Sequence, residues 1–236
     1  MQAVIIASDP AFELRPLTFH VPKSLIRVGD RCVIEHASNS LPDEIKEVII
    51  VIGHLGEQVK NFCGKKINQR RVTYIKQKNF SGSARALHLC KDILASRFLV
   101  LPSDGIFPRD DITKCMKFDQ CVLAKEVSGK FTGERITLDG DGFLKDIIPG
   151  VHDKNKTLVN TGFYVMTRAF FNFKLVPSGG SKRYDISLTL ASMAKSFPVN
   201  VERSQSWLPL TDLAGIKRAE KAIKKGRKIE KAKREW

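Results

Sequence analysis

Apolar residues along the first half of the chain fall into two alternating patterns. Ala3–Ala7 ("AVIIA"), Glu47–Ile52 ("EVIIVI"), Val72–Lys76 ("VTYIK") and Phe98–Leu101 ("FLVL") are short β-branched runs bounded by turn residues, and they predict buried strands. Between them, Val33–Asn39, Gly56–Phe62 and Ser83–Leu94 carry apolar residues at helical spacing. Such alternation predicts an α/β fold: a Rossmann-like, mainly parallel sheet with helices on both faces. Ligands on these sheets bind beyond the carboxyl ends of the strands. The loops after Ala7, Lys76 and Leu101 are therefore expected to meet at one cleft.

The second half changes character. Ala124–Lys125, Glu134–Leu138, Leu144–Ile148 and Asn160–Met166 predict shorter strands, with "LDGDG" (138–142) as a hairpin turn. Phe170–Phe173 and Ile186–Ala194 have helical spacing. No Pro/Gly/Ser-rich linker divides the halves, so a smaller lobe closing over the cleft is expected within one domain, residues 1–213. Residues 214–236 predict a basic amphipathic helix with Ile216, Ala219, Ile223 and Ile229 along one face. Gly226 within it costs about 1 kcal/mol against alanine. Its first turns are expected on the core, its end free as a partner surface, and its removal after Leu213 without loss of the core fold.

Composition narrows the class. With 236 residues, 42% of them hydrophobic, the chain can bury a substantial core. No apolar run approaches membrane-spanning length and the N-terminus lacks a processing pattern, which predicts a cytoplasmic protein without a membrane partner. Cys32, Cys63, Cys90, Cys115 and Cys121 lack metal-ligand spacing and are expected as free thiols. The histidines are scattered, which argues against zinc. Net charge is +15, of which residues 214–236, with ten Lys/Arg against three Glu, carry +7. A basic surface favours anionic partners.

Ordered motifs then carry a resemblance. Leu14-Arg15-Pro16-Leu17-Thr18 and Pro22-Lys23-Ser24-Leu25 follow the first strand, and "HLGEQVKNFCG" (54–64), "YIKQKNFSGSARAL" (74–87), "FLVLPSDGIF" (98–107), "DGFLKDII" (141–148) and "VNTGFYVM" (159–166) come after them in order. The set resembles the sugar-nucleotidyltransferase family, the nucleotide-sugar pyrophosphorylases such as glucose-1-phosphate thymidylyltransferase and mannose-1-phosphate guanylyltransferase. Members join a nucleoside triphosphate to a sugar 1-phosphate and release pyrophosphate. The resemblance implies that Lys23, Gln77, Gly82 and Arg85 stand at nucleotide-binding positions. Asn160, Thr161 and Gly162 fall at sugar-binding ones, and Asp104 at a Mg²⁺-binding one.

The departures fall on the reacting centre. The family's phosphate-wrapping glycines align with Asp9 and Ala11, its threonine with Phe12 and its phosphate-neutralising arginine with Glu13. A second metal-binding aspartate aligns with Pro209, and sugar-side acids with Pro149 and Arg183. Transfer at phosphate needs donors and positive charge aimed at developing negative charge, whereas Asp9 and Glu13 repel a triphosphate. The resemblance with these losses implies a degenerate member, inactive in transfer or regulatory, with weak nucleotide and weak Mg²⁺ binding. Its partner would then be an active homologue or a regulatory complex. Two rival readings stand beside it. One is an active transferase whose phosphate site is rebuilt from Lys23, Arg15, Arg85 and Asp104. The other is a basic module for RNA or an acidic protein.

Overall fold

The computed structural model describes residues 1–179 and 182–234. The first half runs through β1 (Gln2–Ala7), a small hairpin of β2 (Arg27–Val28) and β3 (Arg31–Cys32), α1 (Val33–Ser40), β4 (Glu47–Ile52), α2 (Gly56–Cys63), β5 (Lys66–Ile67), β6 (Arg70–Lys76) and α3 (Ser83–His88). The second adds β7 (Arg97–Pro102), β8 (Gly105–Ile106), α4 (Arg109–Cys115), β9 (Cys121–Leu138), β10 (Leu144–Thr167), α5 (Ile186–Ala194), β11 (Asn200–Ser204), β12 (Leu208–Pro209) and α6 (Leu213–Arg234). Eight strands form one sheet in the order β11-β9-β10-β7-β1-β4-β6-β5. Its centre, β7-β1-β4-β6, is parallel. Beyond β7 the antiparallel β10 and β9 follow, and β11 rejoins β9 in parallel.

Unbroken apolar runs form these central strands because both faces of the sheet are covered. Val4, Ile49, Val51, Phe98 and Val100 enter one cluster with Leu87 of α3 and Leu190 of α5. Their neighbours Ile5, Val48, Ile50, Leu99 and Leu101 enter the opposite cluster with Ile34 of α1, Val59 of α2 and Ile112 of α4. Side chains alternate across a strand, so a two-faced core demands apolar residues at every position. All five cysteines are buried free thiols. Among the described residues no helix is long and apolar enough to cross a membrane.

Two expectations change. The predicted helix over Ser83–Leu94 stops at His88, and a single 3₁₀ turn (Lys91–Ile93) follows. Leu89 and Ile93, which extended the apolar period, are about half exposed, so no buried face holds a longer helix together. The four short strands of the second half are parts of two long ones, β9 and β10, of 18 and 24 residues. At one end they belong to the sheet. At the other they pair only with each other, from Lys130–Leu138 against Leu144–Asp153, as an arch joined through the predicted turn. There Asp139 Oδ1 accepts the backbone N–H groups of Asp141 (3.1 Å) and Phe143 (2.9 Å).

A third, smaller cluster ties the C-terminal helix to the first loop. Ile216 and Ala219 of α6 are buried against Ala11, Leu14, Ile26 and Val28, with Ile223 packed alongside. Ile229 lies outside the residues whose side chains are described. Because Ile216 completes this cluster, Ile216→Ala is expected to lower unfolding free energy by roughly 2 kcal/mol. Urea denaturation checks this, and an unchanged midpoint would mean that α6 does not support the loop.

Candidate active-site cleft

The loops after β1, β6 and β7 do meet at one cleft, beneath the arch and beside the start of α5. It encloses a cavity of about 620 Å³. Strand ends contribute Ala7, Asp9 and Asp104, the arch contributes Phe131 and Glu134, and β10 contributes Asn160, Thr161 and Gly162. The starts of α5 and α6 add Asp185, Ser187, Asp212 and Arg218.

The first loop is organised around its own acids. Asp9 Oδ1 accepts the backbone N–H of Ala11 at 2.9 Å, and Thr18 Oγ1 donates to the Ala11 carbonyl at 2.9 Å. Ala11 takes a left-handed conformation (φ 48°, ψ 59°) and is fully buried in the third cluster. The Ala11 amide is thereby occupied by a carboxylate of the same loop. Lys23 is 6% exposed, and its ammonium donates to Glu13 Oε1 and Asp104 Oδ2 at 3.0 Å each. Burial alone would lower the Lys23 pKa, but Asp104 and Glu13 beside it push it up to about 12. Arg15 is turned away from this pair: its guanidinium lies 4.4 Å over the Phe12 ring and 4.8 Å over that of Phe19.

The other residues that the resemblance places on the nucleotide side make contacts within the protein. Gln77 is 5% exposed, accepts the Ser8 hydroxyl at 2.5 Å and donates to the Gly82 carbonyl at 3.2 Å. Gly82 sits at φ +94°, where an added Cβ would stand 2.3 Å from the Tyr184 carbonyl oxygen. Arg85 is exposed, with its guanidinium 4.4 Å above the Tyr184 ring. Of the four residues of the active reading, Lys23 and Asp104 are paired with each other, while Arg15 and Arg85 each stack on aromatic rings.

The sugar-side positions gather around an acid that sequence reasoning missed. Glu134 is half-buried, accepts the Ser187 hydroxyl at 2.5 Å and the Asn160 side-chain N–H at 2.6 Å. Burial raises its pKa, the two hydrogen bonds lower it, and Asp185 raises it again. Asn160 also donates to the Tyr164 hydroxyl at 2.6 Å, and its Oδ1 accepts the Gly162 N–H at 3.0 Å. Thr161 is buried and donates to the Leu123 carbonyl. Glu134 stands directly across the ladder from Pro149, the position where the family acid is missing. Asp185 and Ser187 open α5, and the polar residue before an apolar helical run was the signal for that cap.

Magnesium does not fit these residues well. Asp104 already holds the Lys23 ammonium, and Pro209, which pairs with Gly105 next to it, offers no carboxylate. Asp212 lines the cavity but accepts the Gly215 N–H at 2.5 Å as the helix cap. Among the described residues no group of three or more His, Cys, Asp or Glu is placed to hold a metal ion.

A mixed, mainly parallel sheet with a strand-end cleft under an antiparallel arch is the architecture of the nucleotidyltransferase α/β fold. The Nucleotidyl transferase family model matches residues 2–129, and the chain belongs to that family. It is 28% identical over 206 residues to the UTP–glucose-1-phosphate uridylyltransferase AglF of Haloferax volcanii, covering 83% of this chain and 84% of the relative. It is 23% identical over 171 residues to the bifunctional protein GlmU of Methanocaldococcus jannaschii, 72% of this chain but only 41% of that longer protein. Among solved structures, a protein assigned as a glucose-1-phosphate thymidylyltransferase from Bacillus anthracis, in complex with sucrose, superposes with a TM-score of 0.81 at 23% identity over 94% of each chain. A UDP-glucose pyrophosphorylase complexed with UDP-glucose gives 0.79 at 16% identity, covering 95% of this chain and 98% of that one.

The Lys23 pairing has a testable pH signature. Its folded pKa lies above the ordinary value of about 10.4, so its contribution is complete below that pH and fades as pH rises through about 12. Lys23→Met is expected to cost roughly 1–3 kcal/mol at pH 8, with the gap to wild type narrowing above pH ~10.4. A pH-independent gap in urea denaturation would contradict the pairing.

Proposed function

We propose that this chain is a sugar-nucleotidyltransferase-family protein that keeps a sugar-sized cleft but has lost nucleotidyl transfer, and that it acts as a binding or regulatory member of its family. One observation carries the reading: the Lys23 ammonium is already neutralised by Glu13 and Asp104, both at 3.0 Å. A triphosphate entering this loop meets acids at 9 and 13, a cation held by two carboxylates and an amide capped from within. Losing phosphate-directed donors removes the interactions that phosphoryl chemistry depends on. The sugar side supports retained binding, since Asn160, Glu134, Ser187 and Tyr164 form one ordered polar network. A family partner subunit is proposed on the same grounds, as the protein whose activity such a member would modulate.

The active reading has one observation in its favour. Lys130 and Arg218 line the same cavity, giving it cations outside the first loop. Pyrophosphate release separates the two. The protein is assayed with the common nucleoside triphosphates, a panel of sugar 1-phosphates and Mg²⁺ or Mn²⁺. No turnover above background is expected. Robust turnover that vanishes in Asp104→Asn would overturn the proposal in favour of an active transferase.

A further inference from the structure

Outside the cleft, the first loop carries a second surface. Phe12, Leu17 and Phe19 are all exposed, the two rings about half so. The Arg15 guanidinium lies over both rings, 4.4 Å from the Phe12 centroid and 4.8 Å from that of Phe19. It joins them into one ordered stack, and with Arg15 in place each ring still keeps an open part. None of these residues lines the cavity. Large apolar side chains left open together mark partner sites.

Positive charge gathers on the elements packed against this loop. Ile216 and Ala219 of α6 are buried against Ala11 and Leu14, the residues just before Phe12 and Arg15. Lys217, Lys221, Lys224 and Lys225 of the same helix are exposed. Their spacing of i, i+4, i+7 and i+8 puts them on one helix face, turned away from the buried pair. At 1.5 Å per residue this stripe is about 12 Å long. The β2-β3 hairpin packs against α6 and adds the exposed Arg27 and Arg31. Glu220 is the one acid between Leu213 and Lys225, in a chain that carries +15.

We propose that this face binds a single-stranded nucleic acid, its bases stacked on Phe12 and Phe19 and its phosphates along the α6 lysines. Aromatic platforms beside a cationic track suit single strands, because every base has a π-face and every linkage a charge. Arg15 adds a cation to the stack itself. An acidic polypeptide would satisfy the lysines but offers the rings no flat partner. A duplex keeps its bases stacked on one another, so it too uses only the cations. A single strand uses both. Because the face lies outside the cavity, this binding is independent of whether the cleft transfers nucleotides.

Fluorescence anisotropy of the full chain with labelled homopolymeric single strands, the matching duplexes and polyglutamate tests this across a salt series. The single strand is expected to bind at least about tenfold more tightly than the duplex or polyglutamate, with an affinity that falls steeply as salt rises. Parallel RNA and DNA arms identify which strand is used, and tight binding of either supports the proposal. Joint replacement Phe12→Ala and Phe19→Ala is expected to weaken the single strand about tenfold or more and leave polyglutamate binding unchanged. Changing the four α6 lysines to glutamine should flatten the salt dependence. Thermal unfolding establishes that the variants fold, and the wild-type comparison of strand with polyglutamate needs no variant. No binding at low salt, equal or tighter binding of polyglutamate or duplex, or single-strand affinity unmoved by loss of both rings overturns the proposal.

Discussion

A buried ammonium cannot stand alone, and the cleft of this protein is arranged around that constraint. Lys23 is 6% exposed and is satisfied by Glu13 from its own loop and Asp104 from the end of β7. Removing a charged side chain from water costs several kcal/mol unless the site returns it as Coulomb energy and hydrogen bonds. Glu13 therefore supplies, from the loop itself, a counter-charge that the Lys23 ammonium needs. Asp9 in the same way accepts the Ala11 amide. Both acids are engaged by groups of their own loop.

The loop can take this shape because of what lies behind it. Ala11 and Leu14 pack with Ile216 and Ala219 of α6, so the apolar side of the loop is fixed while Asp9 faces the cleft. On the other side of the cavity, β9 and β10 leave the sheet as an arch and carry Glu134 to Asn160 and the start of α5. The cleft thus has two unlike ends. One is closed by an internal ion pair. The other keeps acids and neutral donors facing open volume.

Much of this was legible in the sequence, for identifiable reasons. Strands buried on both faces must be apolar throughout, which made β1, β4 and β7 readable, and with them the meeting of their loops. Lys23 and Asp104 were recognisable because each sits in a motif, Pro22-Lys23-Ser24-Leu25 and "PSDGIF", the second at the end of β7. Glu134 was not, because the sequence marks it only as the start of a strand, and the approach of Asn160 and Ser187 to its carboxylate is a tertiary fact. Arg15 and Arg85 show another limit: sequence reports a guanidinium, but not the aromatic rings of Phe12, Phe19 and Tyr184 beside it. The same holds for Gly82 and Gly162, whose close approaches to Tyr184 and Pro102 are tertiary facts.

The internal ion pair leads to a direct thermodynamic consequence for nucleotides. On the proposed reading, a triphosphate seated at Lys23 must break the Lys23 contacts with Glu13 and Asp104, and magnesium seated at Asp104 must displace an ammonium. Isothermal titration calorimetry of nucleoside triphosphates, with and without Mg²⁺, measures that competition. Millimolar or weaker binding, roughly 4 kcal/mol, with little gain from Mg²⁺ is the outcome that follows from a self-occupied loop. A low-micromolar, magnesium-dependent constant for any triphosphate would contradict it.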